Sequence, residues 1–376
     1  MQSHIKPLTS LRFFAAMMVV VLHVKDEFGS AFNLNDISLM FDAGGIGVDF
    51  FFLLSAFILS HVHRADFLDS PWPQYKRFLL LRLARIYPLH LVILLLWLVA
   101  FSLVPLIAGG LVTPQDGMAE KHSAESFFTN LLLIHAWGFH DIETWNHPSW
   151  SISSEWFAYL LFPVMIALWY RIANWRLRVL AAVLAYAGSA ALYVAADAYD
   201  LLLTVHYGNL RIFFLFVMGV GLYDLFSWLR ENGRRLPAAD AVAWAAIAVT
   251  LVLMHLDASM ALLVPVLAVL LLAAADARRS FHTVFSWSPL VYLGEVSYAI
   301  YMVHALVEKV WEFIYRKWLG DGFFTFETAT LALLGLMAAC TIGGMVLYHV
   351  VELPARRFLR RRVIERAAPL RPEAAE

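Results

Sequence analysis

Residues 8–24 read LTSLRFFAAMMVVVLHV, an apolar stretch interrupted by one arginine, Arg12, and one histidine, His23. A helix of this length approaches the roughly 30 Å hydrocarbon thickness of a bilayer. Charged groups at membrane depth cost free energy unless they have a partner, a water-filled cavity or a function. The stretch therefore predicts a membrane-spanning helix that carries functional side chains.

The rest of the chain has the same character. Hydrophobic residues make up 61% of the 376 residues, and the mean hydropathy of +0.69 excludes an ordinary soluble protein. Apolar stretches long enough to span a bilayer lie at 8–26, 43–63, 85–107, 149–170, 176–196, 208–229, 237–256, 258–275, 289–312 and 327–352. We predict an all-α integral membrane protein, a bundle of about ten transmembrane helices. The two stretches that flank Asp257 have an alternative interpretation as one long, broken segment.

The distribution of basic residues predicts the orientation. With a cytoplasmic N-terminus, most of the 28 Lys and Arg residues lie in cytoplasmic segments, as the positive-inside rule requires. Both termini are then cytoplasmic, and residues 356–376 form a basic cytoplasmic tail. The loop at 108–148 faces the exterior, where its stretch 127–135 is short enough to dip into the membrane without crossing it. We expect residues 1–376 to form a single transmembrane domain.

Charge and cysteine content narrow the classes of partner. The 28 basic and 29 acidic residues nearly cancel, so no overall field favours binding to nucleic acid. The single cysteine, Cys340, excludes an intrachain disulfide and a cysteine-based metal site. We expect contacts with membrane lipids and no bound metal.

Arg12 and His23 lie eleven residues apart, so both side chains point from one face of the first helix, about 16 Å apart along its axis. A guanidinium near the cytoplasmic end suits a phosphate, whereas an imidazole deeper in the membrane can accept a proton. The alternative interpretation is an arginine that extends to the interface and a hydrogen-bonded histidine.

Three further ionisable groups are predicted near the depth of His23. Asp49 follows the Gly-rich start of the second helix, Glu155 lies in HPSWSISSEW, and His304 ends LGEVSYAIYMVH. A carboxylate beside His23 would fix the imidazole tautomer, so an Asp49–His23 pair predicts a general base. Asp49 can instead cap the start of its helix.

Side chains with hydrogen-bonding groups follow the same helix faces. Ser151 lies four residues before Glu155, and Ser297, Tyr301 and His304 form one stripe of their helix. We expect the stripe to line the same cavity as the other ionisable groups. Ser151 with Glu155 suits recognition of a hydroxyl or a sugar, and Trp150 offers an aromatic surface for a sugar ring. Interfacial anchoring by Trp150 and a structural hydrogen-bonded stripe are the alternatives.

Arg82 and Arg85 lie one turn apart at the cytoplasmic mouth of the third helix, where two guanidinium groups suit an anionic ligand. Positive-inside anchoring explains the same two residues.

Taken in order, these motifs closely resemble the membrane-bound acyltransferase family 3, the O-acyltransferases of bacterial surface polysaccharides. The resemblance covers nearly the whole chain. It is carried by Arg12 with His23, GVDFFFLLSAF (47–57), RLARIYP (82–88), WSISSEW (150–156), LGEVSYAIYMVH (293–304) and VELPARR (351–357). Ala56 departs from the family's usual glycine, and we expect a stand-alone member without the soluble C-terminal esterase-like domain that some members carry.

The resemblance implies an O-acyltransferase of the bacterial inner membrane that uses cytoplasmic acyl-CoA, usually acetyl-CoA, as donor. The acceptor would be a hydroxyl of an exopolysaccharide, an O-antigen or a lipid-linked sugar. On this basis His23, Asp49 and Glu155 are the catalytic candidates, and Arg12, Arg82 and Arg85 hold the donor. Trp150, Ser151, Ser297, Tyr301 and His304 bind the acceptor. Arg211 meets an acidic sugar or a carrier phosphate, unless it pairs with Asp197 or Asp200.

Two other functions fit the same polar residues. His, Asp and Glu at membrane depth also relay protons, so a proton-coupled transporter or flippase of a polysaccharide precursor is the main alternative. The sequence shows neither an evident inverted repeat nor paired broken helices, which are typical of such transporters. An inert scaffold of an assembly complex is the third reading.

Overall fold

The computed structural model describes residues 4–25, 28, 33–68, 71–108, 118–196, 203–315, 318 and 324–367. These residues form helices joined by turns and loops, and the predicted all-α membrane bundle is confirmed. Fourteen α-helices occur in the described residues, in this order: α1 Lys6–Val24, α2 Ile46–Leu68, α3 Pro71–Ala108, α4 Met118–Lys121, α5 Ala124–Leu131, α6 Trp150–Arg171, α7 Trp175–Ala195, α8 Gly208–Glu231, α9 Ala239–His255, α10 Met260–Asp276, α11 Ser280–Phe285, α12 Ser288–Ile314, α13 Phe326–Leu347 and α14 Leu353–Ala367.

Eight helical segments in this part of the chain are long and apolar enough to cross a bilayer. Two shorter apolar helices, α9 and α10, have 17 residues each, which is the lower end of the spanning range. Asp257 adopts a φ of 52° between them, and Ser259 caps α10 by accepting a hydrogen bond from the Ala261 amide. The two apolar stretches at 237–275 are therefore separate helices and not one broken segment.

The last predicted span continues beyond the membrane segment. A π-helical turn, Tyr348–Glu352, joins α13 directly to α14, so the basic segment that was predicted as a tail starts as a helix. Arg12 near the start of α1 and Arg356 near the start of α14 line the same cavity. The two ends of the bundle's chain therefore lie on one side, as an even number of spans requires; that this side is cytoplasmic remains a prediction.

Small residues allow α1 to pack closely against its neighbours. A Cβ atom at Gly294 of α12 would lie 1.9 Å from the carbonyl oxygen of Thr9 in α1, and one at Gly47 of α2 would lie 2.4 Å from that of Ala15. Only glycine permits these approaches, which are typical of helix pairs in membranes. The approach at Gly294 brings the polar stripe of α12 alongside Arg12 and His23 in α1.

The Ala56 departure is accommodated by packing. Ala56 of α2 is buried against α8, where a Cβ atom at Gly219 would lie 2.6 Å from the Ala56 Cβ atom. The absence of a side chain on Gly219 leaves room for the methyl group of Ala56. This departure therefore affects the contact between α2 and α8.

Candidate active site

A cavity of about 320 Å³ opens between α1, α2, α3, α6, α12 and α14. Four arginines line it: Arg12 from α1, Arg82 and Arg85 from α3, and Arg356 from α14. We call it the arginine cavity. The predicted convergence of Arg12, Arg82 and Arg85 is therefore found in the structure. Arg356 was not among the residues predicted to hold the donor, although it belongs to the VELPARR motif.

Glu155 lies in the arginine cavity and not beside His23. Its Oε1 atom accepts hydrogen bonds from the hydroxyl groups of Ser55 (2.8 Å) and Tyr159 (2.6 Å), and all three residues line the cavity. The expected convergence of Glu155 with His23 is therefore not found, because Glu155 lies among the arginines of the cavity. α6 begins at Trp150, and Ser151 lies one turn closer to its start than Glu155.

Successive turns of α12 lead out of the cavity. Glu295, Tyr298 and Tyr301 line it, and His304 follows on the next turn. The hydroxyl groups of Tyr301 and Ser151 lie 2.8 Å apart, and each is also within hydrogen-bonding distance of the Pro148 carbonyl oxygen. These two hydroxyl groups mark the end of the cavity, in the direction of His304.

His304 belongs to a group of three imidazoles, which we call the histidine cluster. The centroid of the His23 ring lies 5.2 Å from that of the His304 ring and 4.4 Å from that of the His147 ring. One nitrogen from each ring lies within 4.8 Å of the others, a spacing that a transition-metal ion can exploit. The cluster joins α1, α12 and the 3₁₀ turn His147–Ser149 that precedes α6.

Hydrogen bonding determines which imidazole nitrogen of His304 is basic. Its Nδ1 atom lies 2.5 Å from the Tyr301 carbonyl oxygen, which can only accept, so Nδ1 carries the proton. The buried Nε2 atom then bears a lone pair, and it has no hydrogen-bond partner among the described residues. The cluster therefore offers a proton acceptor, or a metal ligand, at a buried position.

His147 was not predicted, although it directly precedes the PSW sequence at the start of α6. Its Nε2 atom lies 3.5 Å from the Oε2 atom of Glu308, which follows His304 by one turn of α12. A carboxylate at this position orients the imidazole. His147 is the first residue of the quoted stretch HPSWSISSEW, and Glu308 lies outside the quoted motifs, so it is their proximity to His23 in the fold that reveals both.

The predicted Asp49–His23 pair is wrong, because Asp49 is paired with Arg211. Arg211 Nε donates to Asp49 Oδ1 (2.7 Å) and its Nη2 to Oδ2 (2.9 Å), while the Tyr193 hydroxyl donates to Oδ1 (2.7 Å). Asp49 is completely buried and Arg211 is 5% exposed. A bidentate buried pair of this kind satisfies both charges and holds α2 against α8.

The same pairing corrects the prediction for Arg211. A guanidinium committed to Asp49 is not available to an acidic sugar or a carrier phosphate, and Asp197 and Asp200, the other suggested partners, lie outside the described residues. The sequence could not indicate this partner, since 162 residues separate the two side chains.

Two further acceptor-site predictions are not supported. Trp150 is 8% exposed and packs against Phe52, with ring centroids 6.1 Å apart, so it neither presents a free face to a sugar nor lies at an exposed rim. The Ser297 hydroxyl is fully buried and donates to the Gly294 carbonyl of its own helix. Both residues have structural roles in the bundle.

Comparisons with known proteins agree with this architecture. The sequence profile described as an acyltransferase domain matches residues 6–349. The chain is 31% identical to the acyltransferase MdmB of Streptomyces mycarofaciens, over 96% of this chain and 94% of that protein. No solved structure matches. The chain therefore belongs to the acyltransferase family 3, and it is a multi-pass membrane protein that transfers acyl groups.

Proposed function

We propose that this protein is an O-acyltransferase that moves an acyl group from cytoplasmic acyl-CoA, acetyl-CoA in the simplest case, across the inner membrane. The acceptor would be a hydroxyl of an exopolysaccharide, an O-antigen or a lipid-linked sugar. Family membership supports acyl transfer. The donor and the acceptor are those that the family resemblance implies, and the arginine cavity suits an anionic donor.

One observation carries the proposal: the arginine cavity ends beside the histidine cluster. Tyr301 lines the cavity, and its ring lies 5.6 Å from that of His304, which stacks on His23. A donor held by its phosphates at the arginines can therefore extend its acyl group toward an imidazole. Guanidinium groups bind phosphate with two parallel hydrogen bonds, and their burial strengthens the attraction.

In the proposed reaction the acceptor hydroxyl loses its proton to the histidine cluster, with His23 as the general base. The alkoxide oxygen attacks the thioester carbonyl, a carbon–oxygen bond forms, and the carbon–sulfur bond breaks. The departing thiolate of coenzyme A takes up a proton. His147 and His304, in place of Asp49, orient the His23 ring.

Glu155 contributes on the donor side. Its carboxylate holds Ser55 and Tyr159 at the wall of the arginine cavity, where it balances part of the positive charge. Glu155 therefore positions the donor site and does not assist His23 directly. Ser151 and Tyr301, at the end of the cavity, are the residues that the acyl group passes.

The test uses purified protein in nanodiscs with labelled acetyl-CoA and either lipid-linked or polymeric glycan as acceptor. We expect transfer of label to the glycan, and a loss of at least about 100-fold in His23→Gln, because general base catalysis contributes roughly 10²–10⁴-fold. The control is His282→Gln, on the exposed surface of α11. Mass spectrometry of the product identifies the acyl group and the hydroxyl.

A second pair of variants tests the donor site. Arg85→Ala should raise the KM for the donor, whereas Arg279→Ala, an exposed arginine outside the cavity, should not. Proton-coupled movement of a glycan precursor in vesicles, with no acyl transfer from any acyl-CoA, would replace the proposal by the transporter alternative.

A further inference from the structure

A second pocket, of about 410 Å³, adjoins the arginine cavity. It lies between the start of α12, the π-helical turn and α14, and it shares Glu295 and Arg356 with the cavity. The two spaces are therefore neighbouring parts of one path from the surface of the bundle into its interior. We call the second space the outer pocket because it lies nearer the surface of the bundle; the name does not refer to the exterior side of the membrane.

The outer pocket is strongly basic. Arg356 and Arg360 lie one helical turn apart on α14, and Arg357 also lines the pocket. Arg356 is 3.7 Å from the carboxylate of Glu352, but in the described part of the chain neither Arg357 nor Arg360 has a carboxylate within ion-pair distance. Both are exposed, so their charges are available to an anionic ligand.

An aromatic surface lies beside these arginines. The rings of Tyr292 and His349 stack with centroids 6.0 Å apart, and the Tyr292 hydroxyl lies 2.9 Å from His349 Nε2. The π-helical turn positions His349 in the pocket lining, where it is exposed. Aromatic rings next to guanidinium groups are the combination that binds a nucleotide by its base and its phosphates.

Positive-inside anchoring explains basic residues on α14 in general, but not this arrangement. Arg361 and Arg362 carry the same charge on the same helix and lie outside the pocket lining. Arg356, Arg357 and Arg360 line one pocket together with three aromatic rings, those of Tyr292, Tyr348 and His349. The volume of the arginine cavity alone is at the low end for a ligand site, and the outer pocket more than doubles it.

We propose that the outer pocket binds the adenosine 3′,5′-bisphosphate end of the acyl donor, while the pantetheine arm enters the arginine cavity. This inference rests on the proposed function, because it takes acyl-CoA as the donor. Arg357 and Arg360 hold the 3′-phosphate, Arg356 lies between the two spaces, and the adenine ring packs against Tyr292 and His349. The protein thereby distinguishes coenzyme A from dephospho-coenzyme A.

The experiment measures binding and requires no acceptor. Full-length protein in nanodiscs of zwitterionic lipid is titrated with desulfo-coenzyme A, dephospho-coenzyme A and adenosine 3′,5′-bisphosphate. We expect all three to bind competitively, with the 3′-phosphate improving affinity. Arg357→Ala and Arg360→Ala should each weaken desulfo-coenzyme A about tenfold and dephospho-coenzyme A much less, since each removes charge-assisted hydrogen bonds to phosphate.

Arg361→Ala is the matched control, because it removes the same charge from the same helix outside the pocket. An equal loss in this variant would show a general surface-charge effect and overturn the inference. Native mass spectrometry in nanodiscs with phosphatidylglycerol tests the other source of phosphate. Retention of this lipid through Arg357 and Arg360, without nucleotide binding, would make the pocket a lipid-headgroup site and likewise overturn the inference.

The two proposals fail in different ways. In one outcome, Arg85→Ala abolishes binding of desulfo-coenzyme A, which places the ligand in the arginine cavity. If in that case neither removal of the 3′-phosphate nor substitution of Arg357 or Arg360 changes the affinity, only the nucleotide assignment is wrong. If desulfo-coenzyme A does not bind the wild-type protein at all, the proposed donor is wrong as well. A thermal unfolding profile for each variant identifies any loss caused by misfolding.

Discussion

The hydroxyl oxygens of Ser151 and Tyr301 lie 2.8 Å apart where the arginine cavity meets the histidine cluster. The Pro148 carbonyl oxygen accepts a hydrogen bond from this pair. The pair thereby connects α6, α12 and the 3₁₀ turn His147–Ser149. In the proposed reaction an acyl group moves from the arginines toward His23 past these side chains. We therefore predict that the hydrogen-bonded pair acts as a barrier that opens during transfer.

We expect Tyr301→Phe to weaken this barrier. The ring that packs near His304 is kept, while the hydrogen bond, with a net contribution of about 1 kcal/mol to stability, is lost. Acetyl-CoA hydrolysis without acceptor should increase, because water reaches the thioester more easily. Release of free coenzyme A, measured with a thiol reagent, reports this leak.

The control for Tyr301→Phe is Ser297→Ala, which removes a hydroxyl that is bonded within the same helix and does not line the cavity. This variant should not change hydrolysis. If Tyr301→Phe instead raises the donor KM without any leak, Tyr301 binds the donor and does not close the path.

The Asp49–Arg211 pair predicts a stability effect. Arg211→Met leaves a buried, uncompensated carboxylate, which costs about 3–5 kcal/mol, so the variant should unfold at a much lower temperature. The double variant Asp49→Asn with Arg211→Met removes the charge and should recover most of this loss. Thermal unfolding in detergent, followed by tryptophan fluorescence, measures all three proteins.

Activity of the double variant then tests the role of Asp49. If Asp49 acts only through the ion pair, the stable double variant keeps acyl transfer within about tenfold of wild type. A folded double variant with no transfer would return Asp49 to the catalytic residues.

The histidine cluster predicts sensitivity to zinc. Zn²⁺ binds imidazole nitrogens, and those of His23, His147 and His304 lie within 4.8 Å of one another. The ion should inhibit transfer because it occupies the lone pairs that accept the proton. His147→Gln, which removes one ligand, should require at least about tenfold more zinc for the same inhibition. Steady-state rates over a zinc titration, with recovery by EDTA, provide the measurement.

A requirement for zinc, in place of inhibition by it, would change the role of His23 in the proposed mechanism. If EDTA inactivates the purified enzyme and zinc restores it, the metal belongs to the catalytic site, and His23 acts as a ligand instead of a base.

His135 in the outer loop predicts a pH dependence of stability. Burial, with smaller contributions from nearby His90 and His140, lowers the pKa of its imidazole to about 3, from 6.5 in an unfolded chain. Between pH 6.5 and 3 the unfolded state binds more protons, so the free energy of unfolding falls as the pH falls, by up to about 1.4 kcal/mol per pH unit. Above pH 6.5 the imidazole is neutral in both the folded and the unfolded state, so this loss of stability is absent.

The measurement compares unfolding temperatures of wild type and His135→Gln between pH 4 and 7. The variant cannot take up this proton, so its stability should depend less steeply on pH. Equal slopes for the two proteins would show that His135 does not control acid stability.

The amino-acid sequence alone determined the class of fold and three of the arginines that line the cavity. Membrane helices are recognisable because every backbone polar group must be satisfied within the helix, which demands long uninterrupted apolar segments. The helical period placed Arg82 and Arg85 on one turn, and the polar stripe of α12 was recognised with Tyr301 and His304. These relationships are local, so spacing along the chain is sufficient to predict them.

Only the tertiary structure decided which distant side chains meet. Depth estimates placed Asp49 and Glu155 level with His23, but depth does not define which helix faces which. The approach of α12 to α1 at Gly294 brings His304 to His23, whereas α8 brings Arg211 to Asp49 across 162 residues of sequence. Helix packing therefore determined that Asp49 pairs with Arg211 and that His147 lies beside His23.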